Sequence, residues 1–171
     1  MQEKWVNEQY FFDESTVTHM ANFVQVYPNP CCLCAPRLGH ELERREIVVR
    51  TLDIDERFDA LRGFRRYDLT KPEWLGEAFG IIVSDPPFFN AVPVSALFDT
   101  VRVLSRYSVD QKLLVSWPVR RSKVLLNAFS AYDLAPSGFR PGYSSVPNEG
   151  TNLIEFYGNL GEEEYRRLAH T

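Results

Sequence analysis

The strongest chemical signal in the sequence is the run Asp85-Pro86-Pro87-Phe88, which follows the apolar residues 80–84. Proline restricts the backbone, so the Asp85 carboxylate and the Pro86 carbonyl are held in place as hydrogen-bond acceptors. Two fixed acceptors that face an amino group direct the nitrogen lone pair towards an electrophilic methyl group, which is catalysis by positioning. Phe88 can stack on a flat base, and we expect Phe89 to contact the same substrate. The alternative is a rigid turn between a strand and a helix, with Phe88 buried.

Three further acids follow two earlier predicted strands, and ligands of open parallel sheets bind beyond the carboxyl ends of the strands. Asp53 and Asp55 come after the run 47–52, and Asp68 comes after residues 64–67. An acid after the second strand can accept hydrogen bonds from both hydroxyls of a ribose, and we assign that role to Asp55, with Asp53 beside it. Asp68 is a candidate for contacting an adenine amine. Each acid alone is also typical of a turn or a helix cap.

Several common kinds of site are disfavoured. The first turn from a strand into a helix, residues 34–39, lacks the Gly-x-Gly-x-x-Gly pattern of dinucleotide-binding proteins. Cys31, Cys32 and Cys34 lack the spacing of a zinc knuckle. We therefore expect these cysteines to be small buried hydrophobic residues, and we expect no metal site.

The acids and the Asp85 loop need a sheet to bring them together, and the hydrophobic pattern predicts one. Strands are predicted at residues 31–35, 47–52, 64–67, 80–84 and 113–117, and helices at 37–45, 72–79, 93–106 and 119–129. This alternation indicates an α/β fold with a largely parallel, doubly wound sheet. Two last strands joined by the loop 136–150 would form a C-terminal antiparallel hairpin, as in the Rossmann-like sheet of class I methyltransferases.

Length and composition predict one domain. The chain has 171 residues, 44% of them hydrophobic, and we expect its core over about residues 9–159. Residues 160–171 are predicted to form a polar tail or a short helix. Because no apolar run approaches the roughly 20 residues that cross a bilayer, we expect a soluble intracellular protein, without a prediction of its compartment.

The charge distribution leaves two alternatives for the surface. The net charge of −4 is unlike that of a free-standing nucleic-acid binder, which needs an excess of lysine and arginine on one face. Many arginines nevertheless fall in one third of the chain, where they form either a salt-bridged surface or a basic binding face. They are Arg37, Arg44, Arg45, Arg50, Arg57, Arg62, Arg65 and Arg66.

Four short motifs occur along the chain in an order that resembles the N6-adenine methyltransferase-like family, over about residues 9–159. They are Gln9-Tyr10-Phe11-Phe12-Asp13, Ala35-Pro36-Arg37-Leu38 with His40-Glu41, Leu52-Asp53-Ile54-Asp55 with Phe58, and Asp85-Pro86-Pro87-Phe88. Within the family, the chain looks most similar to the branch of CCHC zinc-finger enzymes that methylate adenine in large-subunit ribosomal RNA. The lysine methyltransferases of a translation elongation factor form a sister branch.

The resemblance implies a site for the methyl donor S-adenosyl-L-methionine and a neighbouring site for the methyl acceptor. The residues that would hold the donor are Pro36, Arg37, Asp53, Asp55 and Asp68. Those that would hold the acceptor nitrogen are Asp85, Pro86, Pro87 and Phe88, and those that would line the acceptor side are Tyr10, Phe11, Phe12 and Phe89.

The implied activity is methyl transfer from S-adenosyl-L-methionine to an adenine N6 of structured RNA, with ribosomal RNA as the expected substrate. The first alternative is lysine methylation of a translation factor, because the same loop can hold an amine. The second is a catalytically inactive subunit of a ribonucleoprotein or another large assembly. The zinc-binding modules of the similar branch do not occur in this sequence, so we also expect a protein partner or a larger assembly.

Overall fold

A seven-stranded mixed sheet organises the part of the chain that the computed structural model describes, residues 9–88 and 92–171. The strands are β1 (Cys31–Leu33), β2 (Arg50–Asp53), β3 (Phe64–Arg66), β4 (Ile82–Ser84), β5 (Leu113–Pro118), β6 (Ala135–Pro136) and β7 (Ile154–Gly158). Their order is β3-β2-β1-β4-β5-β7-β6. The first five strands pair in parallel, and β7 is antiparallel to both its neighbours. The predicted Rossmann-like sheet with a C-terminal antiparallel hairpin is therefore confirmed.

Helices connect most of these strands and bury apolar side chains against the sheet. They are α1 (Glu14–Val24), α2 (Pro36–Arg44), α3 (Val94–Leu104), α4 (Ser122–Ala128) and α5 (Glu162–His170). Helix α1 packs against α2 and α5, while α3 packs against α4. In the described residues, no helix combines the length and the apolar character that crossing a membrane requires. Cys31 and Cys32 are buried in β1, as expected, whereas Cys34 is partly exposed just beyond it.

The predicted helix over residues 72–79 is wrong, because this segment is irregular. The Tyr67 hydroxyl accepts a hydrogen bond from the Glu73 backbone N–H at 2.9 Å and donates one to the Glu73 carbonyl oxygen at 3.0 Å. Gly76 has a φ of +75°, which is incompatible with a right-handed helix. A side chain therefore supplies the hydrogen bonds that a helical turn would otherwise make.

The last residues of the chain were predicted to form a polar tail or a short helix. The structure shows the helix, α5. Leu168 is buried, and the Arg167 guanidinium lies 4.8 Å from the ring centre of Phe23. Glu164 accepts hydrogen bonds from the Tyr27 hydroxyl at 2.6 Å and from the Lys112 ammonium group at 2.8 Å. These contacts attach α5 to α1 and to the start of β5.

The arginines between residues 37 and 66 form a salt-bridged surface rather than a basic face. Most of them have acidic partners within 3.1 Å. The pairs are Arg44 and Arg45 with Glu41, Arg50 with Glu77, Arg57 with Asp55, Arg65 with Glu73, and Arg66 with Glu56. Most of these guanidinium groups are thus paired with carboxylates.

The segment of residues 9–13, here called the strap, crosses to the loop between β6 and β7. Phe12 and Tyr143 form an antiparallel bridge, and the Asp13 N–H donates to the Gly142 carbonyl at 3.0 Å. The Asp13 carboxylate also caps α1, since it accepts a hydrogen bond from the Thr16 N–H at 2.7 Å. The start of α1 and the position of Tyr143 therefore depend on the same contact region.

The substitution Gly142→Ala tests this junction. A Cβ atom at position 142 would overlap the Asp13 carboxylate, which must then give up its cap on α1. We expect the free energy of unfolding, measured by urea denaturation, to fall by about 1 to 2 kcal/mol. In an Asp13→Ala background the same substitution should cost much less, and strictly additive losses in this double-mutant cycle would contradict the proposed clash.

Candidate active site

A cleft opens at the carboxyl ends of β1, β2 and β4, where the strand order reverses between β1 and β4. We call it the strand-end cleft, and its volume is about 40 Å³. Its lining residues come from the strap, from the ends of the three strands and from the Asp85 loop. They are Gln9, Tyr10, Cys34, Asp53, Ile54, Asp85, Pro86, Pro87 and Phe88.

Asp85 follows β4 and is held by hydrogen bonds on one side of its carboxylate. Its N–H donates to the Leu33 carbonyl at 3.0 Å, which continues the pairing of β4 with β1. Oδ1 accepts hydrogen bonds from the Ser116 hydroxyl and, at 2.9 Å, from the Tyr143 hydroxyl. Within the described residues, Oδ2 accepts no hydrogen bond. One carboxylate oxygen is thus committed to the protein and the other is available for a ligand.

The environment of Asp85 favours its neutral form. Burial raises the pKa of the Asp85 carboxyl group to about 7, and the negative charge of Asp53 adds to the increase. The hydrogen bonds from Ser116 and Tyr143 oppose it, because they stabilise the carboxylate. A carboxyl group in this range can exchange a proton near neutral pH.

The rest of the loop is fixed by contacts with the end of β5. The Phe88 ring is 3% exposed and meets Trp117 edge to face at a centroid distance of 6.1 Å. The Arg121 guanidinium donates a hydrogen bond to the Phe88 carbonyl and lies 5.5 Å from the centre of the Trp117 ring. Phe88 is buried, as in the alternative of a rigid turn, and it also borders the strand-end cleft. Phe89 lies outside the described residues.

A second and larger cavity, of about 420 Å³, lies on the other side of Tyr10 and Phe88. We call it the acceptor pocket, and its volume falls in the range of small-molecule sites. The two cavities share Tyr10 and Phe88 as lining residues. The other lining residues are Pro118, Arg120, Tyr143, Val146, Pro147, Asn148, Glu149, Gly150, Thr151, Asn152 and Ile154.

Of the strap aromatics predicted to line the acceptor side, only Tyr10 borders this pocket in the described structure. Phe11 packs edge to face on Phe58 at 5.9 Å, and Phe12 packs on Phe156 at 5.8 Å. Both rings are buried. Their contacts anchor the strap to the core, and Tyr10 is left to face the cavities.

The two acids at the end of β2, Asp53 and Asp55, have different environments. The Asp55 carboxylate is buried and receives hydrogen bonds from the Arg57 guanidinium at 2.6 to 2.9 Å and from the Gln9 amide at 3.2 Å. Asp53 instead borders the strand-end cleft, and burial raises the pKa of its carboxyl group to about 6. A ligand in the cleft therefore meets Asp53 first, whereas contact with Asp55 would require Arg57 to move.

The remaining predicted donor residues lie outside the lining of the strand-end cleft. Arg37 donates to the Phe12 carbonyl at 3.0 Å and to the Ser144 hydroxyl at 2.8 Å, so it ties α2 to the strap. Pro36 is the first residue of α2 and borders, with Arg37 and Asp85, a cavity of about 10 Å³. Asp68 accepts hydrogen bonds from the Thr70 N–H and hydroxyl, which form a turn after β3.

The chemistry of the strand-end cleft fits a ligand with hydroxyl groups and a positive charge. Asp53 and Asp85 both approach the cleft, and the charge of Asp53 raises the pKa of Asp85. None of the described residues that line the cleft carries a positive charge. S-Adenosyl-L-methionine has ribose hydroxyls and a sulfonium centre, and Asp53 is the cleft residue that would hold it, next to Asp85. A volume of about 40 Å³ is small for such a ligand, so Gln9 and Tyr10 would have to move outwards.

Three contacts of the site could not be assigned from the sequence, although Gln9 belongs to the first of the four motifs. Ser116 is a polar residue within an apolar strand, which is the one local hint that it faces a polar partner. Tyr143 lies in a loop 58 residues from Asp85, and Gln9 lies 46 residues from Asp55. Contacts between residues so far apart in the sequence are determined by the tertiary structure.

Comparison with known proteins gives one family and several similar structures. A family model described as "Probable N6-adenine methyltransferase" matches residues 3–161. The crystal structure of Thermoplasma acidophilum 1320 superposes with a TM-score of 0.52 at 14% identity, covering 92% of this chain and 97% of that one. TrmN from Thermus thermophilus superposes with a TM-score of 0.47 at 14% identity, covering 84% of this chain and 46% of that one. No curated protein matches the chain.

The raised pKa of Asp85 predicts how Asp85→Asn changes stability with pH. The folded state binds the Asp85 proton more tightly than the unfolded chain, whose aspartate pKa is ~3.9. This group therefore stabilises the fold below about pH 4, and its contribution is lost as the pH rises through about 7. Asparagine keeps the Oδ1 acceptor without the charge, so we expect Asp85→Asn to be more stable than the wild type at pH 8, by on the order of 2 kcal/mol.

The difference in the free energy of unfolding between Asp85→Asn and the wild type should shrink as the pH falls from 8 towards 4. Urea denaturation across this pH range measures it. Asp68→Asn is the matched control, because hydrogen bonds from Thr70 lower the pKa of Asp68. Its carboxylate stabilises the fold above about pH 4, and that contribution is lost in acid. The control variant should therefore be the less stable one at pH 8. A pH-independent effect of Asp85→Asn would contradict the assignment.

Proposed function

This chain belongs to the "Probable N6-adenine methyltransferase" family, and we propose that it methylates adenine N6 in structured RNA from S-adenosyl-L-methionine. Ribosomal RNA is the substrate class that we propose. The observation that carries the proposal is the place of the Asp85 loop: Asp85 borders the strand-end cleft with Oδ2 available, and Phe88 of the same loop borders both the cleft and the acceptor pocket. A methyl donor in the first cavity and an amine entering from the second would meet at this loop.

The donor supplies an electrophilic methyl group on a sulfonium sulfur, and the carbon–sulfur electron pair remains on sulfur when that group leaves. The protein has to orient the amine. Oδ2 of Asp85 and the carbonyl of Pro86 accept hydrogen bonds from the two N–H groups of the acceptor. The nitrogen lone pair then points at the methyl carbon and forms the new bond. Asp85 can take the proton that the nitrogen loses, because its pKa lies at about 7.

The aromatic lining of the acceptor pocket suits a base that has left its stack. An adenine within a helix cannot present N6 to an enclosed carboxylate, so it must be splayed out first. Tyr10 supplies partly exposed aromatic surface at a pocket of about 420 Å³, and the largely buried Phe88 and Tyr143 also border it. Stacking of a base on such rings is worth about 1 to 3 kcal/mol.

Lysine methylation of a translation factor is a second candidate, favoured by the charge of the surface. Most arginines between residues 37 and 66 are engaged with acids, and the net charge is −4. A basic protein substrate fits this surface without further cations, whereas RNA needs phosphate contacts. For the RNA substrate we propose that a protein partner or a larger assembly supplies them.

Calorimetric titration with S-adenosyl-L-methionine tests the donor site. We expect binding to the wild type and a loss of roughly tenfold or more in affinity for Asp53→Asn, which removes a charged acceptor from the cleft. Asp55→Asn should weaken folding through Arg57 and Gln9 and change the affinity only a few-fold. Binding that depends on Asp55 and not on Asp53 would reverse this assignment. A folded wild type that binds no donor would favour the inactive subunit.

Methyl transfer from a tritium-labelled donor tests the reaction itself. With unmodified ribosomal RNA as substrate, we expect label in N6-methyladenosine after digestion to nucleosides, and a rate at least roughly 100-fold lower for Asp85→Ala. Asp110→Ala removes an exposed acid and should leave the rate unchanged. Label in protein and none in RNA would establish the lysine candidate, and transfer that survives Asp85→Ala would refute the mechanism.

A further inference from the structure

We propose that Tyr143 and Ser116 are positioning residues, which hold Oδ1 of Asp85 inwards so that Oδ2 faces the acceptor amine. The inference rests on the proposed function, since it assumes that Asp85 receives the acceptor. It assigns roles to two side chains from distant parts of the chain, 58 and 31 residues from Asp85. Both hydroxyls donate to the same carboxylate oxygen.

The position of a carboxylate at the end of a strand does not by itself fix the direction of its two oxygen atoms. The terminal torsion of an aspartate is broad, so an unanchored Asp85 would present either oxygen, at varying angles, to its ligand. Two donors on Oδ1 remove this freedom, because rotation of the group would break both hydrogen bonds. An oriented acceptor contributes most when the lone pair of the amine must point along one direction.

Ser116 is placed for this role by the pairing of the central strands. It lies in β5, opposite Phe156 of β7, and its neighbour Val115 pairs with Ser84, the residue before Asp85. Ser116 is fully buried. Its hydroxyl therefore reaches Asp85 from inside the sheet, on the side away from solvent.

Tyr143 approaches from the other side and links Asp85 to the acceptor pocket. Its backbone bridges Phe12 of the strap, and the two rings lie 5.5 Å apart. The Tyr143 ring borders the acceptor pocket while its hydroxyl binds Asp85. Burial raises the pKa of Tyr143 well above its ordinary value, so the hydroxyl remains a donor throughout the neutral range.

The charged and titratable groups around Asp85 determine what the loss of a donor should do. Asp53 approaches from the end of β2, and the Cys34 thiol lies after β1, where the charges of Asp53 and Asp85 help to raise its pKa. Against burial and Asp53, only the hydroxyls of Ser116 and Tyr143 lower the pKa of Asp85 among the described residues. Removal of either hydroxyl should therefore raise the pKa of this carboxyl group.

Tyr143→Phe and Ser116→Ala test the proposal with steady-state kinetics on RNA. We expect kcat to fall roughly tenfold in each variant, while KM for the RNA stays within about twofold, because orientation rather than binding is lost. The acid limb of the pH profile of kcat should move to higher pH in both, and a higher pH should restore part of the rate. Tyr132→Phe is the matched control, since it removes a buried tyrosine hydroxyl that bonds Ser105 at 3.1 Å.

The control should leave the pH profile in place. A Tyr143→Phe and a Ser116→Ala variant with wild-type kcat and an unmoved acid limb would overturn the proposal while leaving the proposed function intact. Titration of the Asp85 carboxyl carbon by NMR, with labelled aspartate, separates the two failures. If no RNA is methylated, the proposed function fails, and a raised Asp85 pKa in both variants still supports the hydrogen-bonded arrangement. An unchanged Asp85 titration overturns it.

Discussion

The burial of the Asp85 carboxyl group without a cationic partner is the constraint on which the rest of the site depends. Burial raises its pKa to about 7, and the two hydroxyl groups that bind it in place of a lysine or arginine oppose this increase only in part. A buried carboxylate usually requires a pair or several donors, because desolvation disfavours the charged form. Here one oxygen stays available at the strand-end cleft, which a salt bridge would have prevented.

The strap, the segment around Tyr143 and helix α2 support the position of the Asp85 carboxyl group. Residues 9–13 fix Tyr143 through backbone pairing, and Arg37 binds both segments at once. Phe11 and Phe12 anchor the strap in the core, so aromatic residues that the resemblance assigned to the acceptor act here through packing. Helix α2 and the strap thus contribute to the geometry at Asp85 without bordering the acceptor pocket, apart from Tyr10.

The surface and the site point to different requirements for a substrate. The aromatic acceptor pocket suits a base. Arginines between residues 37 and 66 are the candidates for binding phosphates, but most of them are engaged with Glu41, Glu56, Glu73 and Glu77. Family membership supports N6-adenine methyltransferase-like chemistry. By itself, this chain therefore has few side chains for binding a long polyanion such as RNA.

Local patterns determined the sheet and the position of the Asp85 loop. Apolar runs such as residues 80–84, followed by Asp85 and two prolines, specify a strand and its end through neighbouring residues alone, and the structure has β4 there. The helix expected over residues 72–79 does not form: the side-chain hydroxyl of Tyr67, six residues away, binds the backbone N–H and carbonyl of Glu73, and Gly76 has a positive φ. Only the tertiary structure decided that Arg57 covers Asp55 while Asp53 faces the cleft, and that Ser116 and Tyr143 meet at one oxygen of Asp85. Those contacts depend on side-chain directions and on loop closure over tens of residues, which no short-range periodicity encodes.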